Sequence, residues 1–167
     1  DIDNFEELKA ALEREGVLIP PEVTTDTKII PLWIERHLRA GLGIEEAFRR
    51  AVSDFRGSHA IAVHTSLAPG KLFLAQRGSG QAMFVGIAPD HFMPTSEVYG
   101  FIEETSDYIR LEGEKAVSGP GGPLQGEIAI LDQASPGGPQ GLRLLRYDGT
   151  PIALEGRRLL RSQLTSR

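Results

Sequence analysis

The clearest periodicity in the chain lies between Ile44 and Phe55. Ile44, Ala47, Phe48, Ala51, Val52 and Phe55 fall at i, i+3, i+4, i+7, i+8 and i+11, which predicts an amphipathic helix. Glu45, Glu46, Arg49 and Arg50 supply i, i+4 pairs on its outer face. Two helices are predicted before it. Over Asp1 to Gly16, Phe5, Leu8 and Leu12 make an apolar stripe, and Asp3-Asn4-Phe5-Glu6 has the form of a capping box. Gly16 supplies the stop, and Pro20-Pro21 prevents continuation. Glu6 and Glu7 sit in the first turn, where the helix dipole favours them as a solvated face. Val17-Leu18-Ile19 reads as a short buried strand or extended link. The β-prone run Val23-Thr24-Thr25-Asp26-Thr27-Lys28-Ile29-Ile30 then delivers a Thr-Asp-Thr to the mouth of an apolar helix. Ile30, Trp33, Ile34, His37 and Leu38 share one face of it, and Gly41 ends it. Pro31 removes a backbone hydrogen bond beyond the first turn, so the helix either starts near Lys28 or has a distorted first turn.

Past Gly57 the pattern turns from helical to β. His59 to Thr65, Lys71 to Gln76, Ala82 to Ile87 and His91 to Thr95 are short β-prone runs separated by turn residues. Connections this short predict antiparallel neighbours. Val98 to Thr105 reads as a short helix and Asp107 to Leu111 as another strand. Two Gly/Pro-rich segments, Ser118 to Gln125 and Ser135 to Gly141, read as flexible loops flanking the strand Glu127 to Leu131. Leu142 to Tyr147, the turn Asp148-Gly149 and Ile152 to Leu154 form a closing hairpin. Arg157, Arg158, Arg161 and Arg167 make a basic tail, read as the start of a linker over 157–167. The fold class expected is α+β with antiparallel sheets.

Composition narrows the function classes. With 167 residues, 40% apolar and 25% charged, the chain suits one soluble domain with a real core. A balance of 18 basic against 23 acidic residues, net −5, points to no nucleic acid and no membrane surface. No apolar run approaches the roughly 20 residues needed to span a bilayer, and the acidic start, Asp1-Ile2-Asp3-Asn4, is no signal peptide. The cytoplasm is the default location. The chain has no cysteine, which removes disulfides, thiolate metal sites and a thiol nucleophile from these residues.

The polar residues name no reaction by spacing alone. His59 and His64 are five apart on one strand and point to opposite faces, and His37 has no ligand partner at i+4, so no metal is expected. Arg77-Gly78-Ser79-Gly80 lacks the Gly-Lys-Ser/Thr ending of a phosphate loop and reads as a hairpin turn. Glu103 and Glu104 are adjacent and do not face each other on a helix. Ser96 and His91 are close in the chain, without a defined Ser–His–Asp order. Asp26 stands out. A carboxylate at a helix entrance can cap orphan N–H groups or face outward and hold the ammonium of a small ligand.

The runs Ile2-Asp3-Asn4-Phe5-Glu6-Glu7-Leu8 and Thr25-Asp26-Thr27-Lys28-Ile29-Ile30 resemble the glutaminase domain of the glutamine–fructose-6-phosphate aminotransferase family, within the class II, N-terminal-nucleophile glutamine amidotransferases. That family carries Asn-Gly-Ile-Ile-Glu-Asn-Tyr before its first matching helix and Ser/Glu-Thr-Asp-Thr-Glu before the second. Phe55-Arg56-Gly57-Ser58-His59 is similar to its Leu-Arg-Gly-Ala-Tyr, Ala75-Gln76-Arg77-Gly78-Ser79-Gly80 to its Ala-Ala-Arg-Ser-Gly-Ser-Pro, and Gly126-Glu127-Ile128-Ala129-Ile130 to its Gly-Asp-Ile-Ala. Lys28 stands where the family has Glu, and Ser96-Glu97 replaces a Ser-Asp.

The resemblance implies a four-layer αββα sandwich of antiparallel sheets, incomplete in this chain. Residues 1–156 would be the later part of the glutaminase domain, without a cofactor. It implies hydrolysis of L-glutamine to glutamate and ammonia for transfer to a sugar phosphate, in amino sugar biosynthesis. Asp26, with Thr25, would bind the substrate's α-amino group. The N-terminal cysteine nucleophile and the Asn-Gly oxyanion hole would lie upstream of Asp1, and no catalytic residue falls in this chain. The implied partners are that missing N-terminal segment, a downstream sugar-isomerase domain and further copies in a homo-oligomer. The alternative is a non-catalytic glutaminase-like module used for regulation or assembly.

Overall fold

The computed structural model describes residues 1–154 and 160–161. Arg157, Arg158 and Arg167 of the basic tail lie outside them, as does most of the expected linker. The chain divides into a helical unit, Asp1–Ser58, and a strand unit, His59–Arg167.

Three helices build the first unit: α1 (Phe5–Arg14), α2 (Asp26–Arg39) and α3 (Ile44–Asp54). Leu8 and Leu12 of α1 are buried, as are Ile29, Trp33 and Ile34 of α2 and Ala47, Phe48, Ala51 and Val52 of α3. The predicted stripes therefore face inward, and each buried large side chain stabilises the unit by about 1.5–3 kcal/mol. Gly16 and Gly41 stop their helices as expected. Both have positive φ, and the Val17 and Leu42 amides reach back to the Leu12 and His37 carbonyls, the bond pattern of a glycine-terminated helix.

The helix starts depart from expectation. Asn4 makes no capping bond. Its amide donates to the Asp54 carbonyl and its oxygen accepts from the Arg56 N–H, so tertiary partners take the groups a capping box would use. The helix containing Pro31 begins at Asp26, with its first turn tightened: the Lys28 N–H bonds Thr25, three residues back. Val17 to Ile19 form no strand, and Leu18 is 92% exposed.

On α3, Arg49 and Arg50 hydrogen-bond the Glu46 carboxylate and hold it well down, at about 2 against an ordinary 4.5, with Arg49 the larger influence. The folded value lies below the unfolded one. The resulting stabilisation is complete above about pH 4.5 and fades as pH falls towards 2. Glu46 is 40% exposed, so screening keeps the effect small. Glu46→Gln is expected to cost about 0.5 kcal/mol at neutral pH and almost nothing near pH 2, measured as paired urea titrations.

In chain order the second unit contains β1 (His59–His64), β2 (Lys71–Arg77), β3 (Phe84–Ile87), β4 (Phe92–Thr95), β5 (Asp107–Arg110), β6 (Ala116–Gly119), β7 (Gly122–Gln125), β8 (Glu127–Asp132), β9 (Arg143–Arg146), β10 (Pro151–Ile152) and β11 (Leu160–Arg161). One antiparallel sheet runs β1-β2-β8-β9-β10, a second β11-β5-β3-β4, and β6-β7 forms a separate hairpin. Leu74 of β2, Ala129 and Leu131 of β8, and Leu144 of β9 pack with Val85 and Ile87 of β3, Ile109 of β5 and Leu111 in one core. The two larger sheets thus lie face to face. Phe73, Ala75, Ile128 and Ile130 point to the opposite face and are also buried, which is why β2 and β8 read as unbroken apolar runs.

The α+β class holds, but the order of pairing is not sequential throughout. Gly78–Gly80 was expected to turn a hairpin, yet β2 and β3 belong to different sheets. The buried side chain of Gln76 donates to the Gln81 carbonyl and accepts from the Met83 N–H, fixing the chain as it leaves one sheet for the other. Val98–Gly100 is a single 3-10 turn, not a longer helix. The first Gly/Pro segment is the β6-β7 hairpin itself, turning at Pro120-Gly121, two residues that favour a tight reversal. The second is pinned: Ser135 Oγ donates to the Asp132 and Gly141 carbonyls, and the Gly138 N–H to Ala88.

Candidate functional site

Thr25 is extended (φ −119°, ψ 149°) and exposed, and Asp26 is the first residue of α2. The helix N-terminus favours a carboxylate at this point. Half-buried, the Asp26 side chain accepts from the Thr27 N–H through Oδ1 and from the Ile2 N–H through Oδ2, both at 2.8 Å. It therefore clasps the first residues of the chain to the start of α2. Two ionised oxygens offer about four acceptor positions, and these backbone donors occupy two of them. Thr25 makes no side-chain cap bond, and its carbonyl accepts from the Lys28 N–H.

The helix behind Asp26 is firmly seated. Trp33 Nε1 and His37 Nε2 both lie 2.8 Å from Asp54 Oδ2 at the end of α3. The Arg36 guanidinium stacks over the Trp33 ring at 4.6 Å and pairs with Glu15 beyond α1. That hydrogen bond holds the Glu15 carboxyl below its usual range. The first residues are fixed as well: the Asp3 N–H donates to the Arg56 carbonyl, and the Asp1 nitrogen to that of Ser58.

In the strand unit the polar residues separate. His64, Lys71, His91 and Asp132 rim a cavity of about 430 Å³ over Leu72 and Phe92. Ser96 lies instead on an opening of about 550 Å³ with Ala60, Ala62, Leu74 and Met83. His91 pairs with Asp90, not with Ser96. The Gly78 N–H is committed to the Gly113 carbonyl at 2.5 Å, which removes one anion-binding donor from the Arg77–Gly80 segment. His59 is buried against the Tyr147 hydroxyl, and the Arg77 guanidinium stacks on the Tyr147 ring. Burial pushes the Tyr147 hydroxyl above its ordinary range, and it lowers Arg77 as well. Among the described residues, no group of three or more His, Asp or Glu is placed to hold a metal ion, and no helix is long and apolar enough to cross a membrane.

Sequence reasoning placed Asp26 and Thr25 at the helix entrance but missed the Ile2 amide as partner and Asp54 as the anchor of α2. Both are long-range backbone or side-chain contacts without a local motif.

No protein-family model matches the chain. It is similar to the glutamine–fructose-6-phosphate aminotransferase (isomerizing) of Methanothermobacter thermautotrophicus, 33% identical over 132 residues, which is 78% of this chain and 21% of the relative. It is similar also to that of Thermococcus kodakarensis, 35% identical over 117 residues, or 70% of this chain and 19% of the relative. The enzyme of the same name from Acidithiobacillus ferridurans is 33% identical over 135 residues, 80% of this chain and 20% of its own length. The chain spans about a fifth of the length of the curated relatives it matches.

Proposed function

We propose that the chain is the later part of a class II, N-terminal-nucleophile glutaminase domain, in an enzyme that hydrolyses L-glutamine and passes the ammonia to a sugar phosphate. The observation that carries this reading is the similarity, over most of the chain, to enzymes named glutamine–fructose-6-phosphate aminotransferase. In this reading residues 1–156 belong to the glutaminase domain and 157–167 begin a linker to a sugar-isomerase domain. The architecture is the four-layer αββα sandwich. The assembled protein is a cytoplasmic homo-oligomer in amino sugar biosynthesis.

The chemistry divides between this chain and the residues before it. Asp26 holds the α-ammonium of glutamine with one of its two remaining acceptor positions, and Thr25 lies beside it at the exposed helix entrance. A carboxylate facing an ammonium is a charge-assisted contact on the non-reacting end of the substrate. The nucleophilic cysteine and its Asn-Gly oxyanion hole precede Asp1. The deciding experiment is glutamate release from L-glutamine by the full-length protein. Hydrolysis that is lost when the N-terminal cysteine is changed to alanine supports the reading.

One observation favours a second reading. Both Asp26 oxygens already serve backbone amides, as suits a purely structural clasp in a non-catalytic regulatory or assembly module. A full-length protein that releases no glutamate and gives no calorimetric signal with L-glutamine selects that alternative.

A further inference from the structure

β1 ends its sheet: β2 lies on one side, and among the described residues no strand lies on the other. Natural sheets protect such edges with Lys, Pro, bulges or very short strands. The six residues of β1, His-Ala-Ile-Ala-Val-His, carry none of these. Behind this edge the core is open. Ala60 and Ala62 of β1, with Leu72, Leu74, Met83 and Thr95, line the opening of about 550 Å³ between the two larger sheets, and Leu74 belongs to the central core.

The start of the chain points to what fills it. The Asp3 N–H donates to Arg56 and the Asp1 nitrogen to Ser58, at 2.9 and 2.8 Å. Two donors two residues apart meet two carbonyls two residues apart, running the opposite way. That is the spacing of an antiparallel ladder. It is held closely, since Gly57 (φ +92°) leaves a Cβ only 2.6 Å from the Asp3 carboxyl. His59, the first residue of β1, is the next residue after Ser58.

We propose that the polypeptide leading into Asp1 continues this ladder along the open edge of β1, adding a strand to the five-stranded sheet. In this register the residue immediately before Asp1 lies opposite His59. The second, fourth and sixth before it lie opposite Ala60, Ala62 and His64. Residues directly opposite in an antiparallel pair share a face, so the second and fourth side chains enter the inter-sheet opening and are apolar or small. The length of the relatives, about five times the chain, agrees with such a segment. The proposal rests on the functional reading only in taking residues to precede Asp1; the register comes from backbone geometry.

The test is amide hydrogen exchange on the full-length protein, resolved residue by residue. The Ala60, Ala62 and His64 amides, which point away from β2 in this register, are expected to exchange at least about a hundredfold more slowly than the turn amide of Ser66. Exchange of all three at the Ser66 rate overturns the proposal. So does protection that appears only as protein concentration rises, which would make a second copy the occupant. Ala62→Pro removes one outward N–H while leaving Ile61 and Val63 bonded to β2, whose protection shows that the variant is folded. It is expected to open the residues before Asp1 to protease, and a segment that stays resistant in the folded variant counts against the register. Protected β1 amides in a protein that releases no glutamate would sink the functional reading alone. An active glutaminase with unprotected amides would sink this one alone.

Discussion

Asp26→Ala in the full-length protein is expected to raise the KM for L-glutamine by about 10- to 100-fold while kcat changes little. The magnitude follows from losing one hydrogen bond between charged groups, about 1.5–3 kcal/mol. The partition follows from where the contact is made. An ammonium gripped at the far end of glutamine is held equally in the ground state and at the transition state, so its loss removes uniform binding. The same substitution also deletes the clasp on the Ile2 N–H, and a displaced N-terminal segment would raise KM indirectly. Asp26→Asn separates the two effects. Its side-chain oxygen still accepts from a backbone amide, but it carries no charge for the ammonium. If the charge does the work, both variants show the raised KM and only Asp26→Ala melts appreciably lower. Steady-state glutaminase assays paired with thermal melts decide it. A KM unchanged in both variants removes Asp26 from the binding site and leaves it a structural residue.

What could be read from sequence was set by how local the cause is. Gly16 and Gly41 were legible as helix stops because the left-handed turn they make depends on the residue itself. The stripe on α3 was legible because the burial of Ala47, Phe48, Ala51 and Val52 follows helix geometry. Asn4 was misread because its partners, Asp54 and Arg56, are some fifty residues away. The Gly78–Gly80 segment was misread for a different reason: a hairpin and a passage between sheets demand the same glycines. What distinguishes them is the buried Gln76 side chain bonding residues 81 and 83, a cue that carries no periodicity. The site divides the same way. The helix entrance marks Asp26, whereas its bond to Ile2 depends on how the chain start folds back onto α2.

Gly126→Ala is expected to cost about 3 kcal/mol of stability, through two separable terms. Gly126 has φ +103°, a conformation an L side chain resists at about 1–2 kcal/mol. A Cβ there would also sit 2.8 Å from the Tyr147 ring and 2.9 Å from the Gln76 carbonyl oxygen. Neither neighbour yields readily. Gln76 pairs with Glu127 in the β2-β8 ladder. Tyr147 is 3% exposed, hydrogen-bonded to His59 at 2.8 Å and covered by the Arg77 guanidinium 4.4 Å from its ring centroid. Overpacking of this kind costs about 1–3 kcal/mol. Gly138 supplies the comparison: φ is +77°, but a Cβ would meet nothing within 4 Å. Gly138→Ala should therefore show the backbone term alone, about 1 kcal/mol. Urea titrations of the two variants isolate the crowding as their difference. If that difference vanishes, Tyr147 can move aside, and the buried His59–Tyr147–Arg77 stack is looser than its contacts imply. If it persists, the stack is rigid and fixes the first residue of β1 at the edge where the preceding strand is expected to dock.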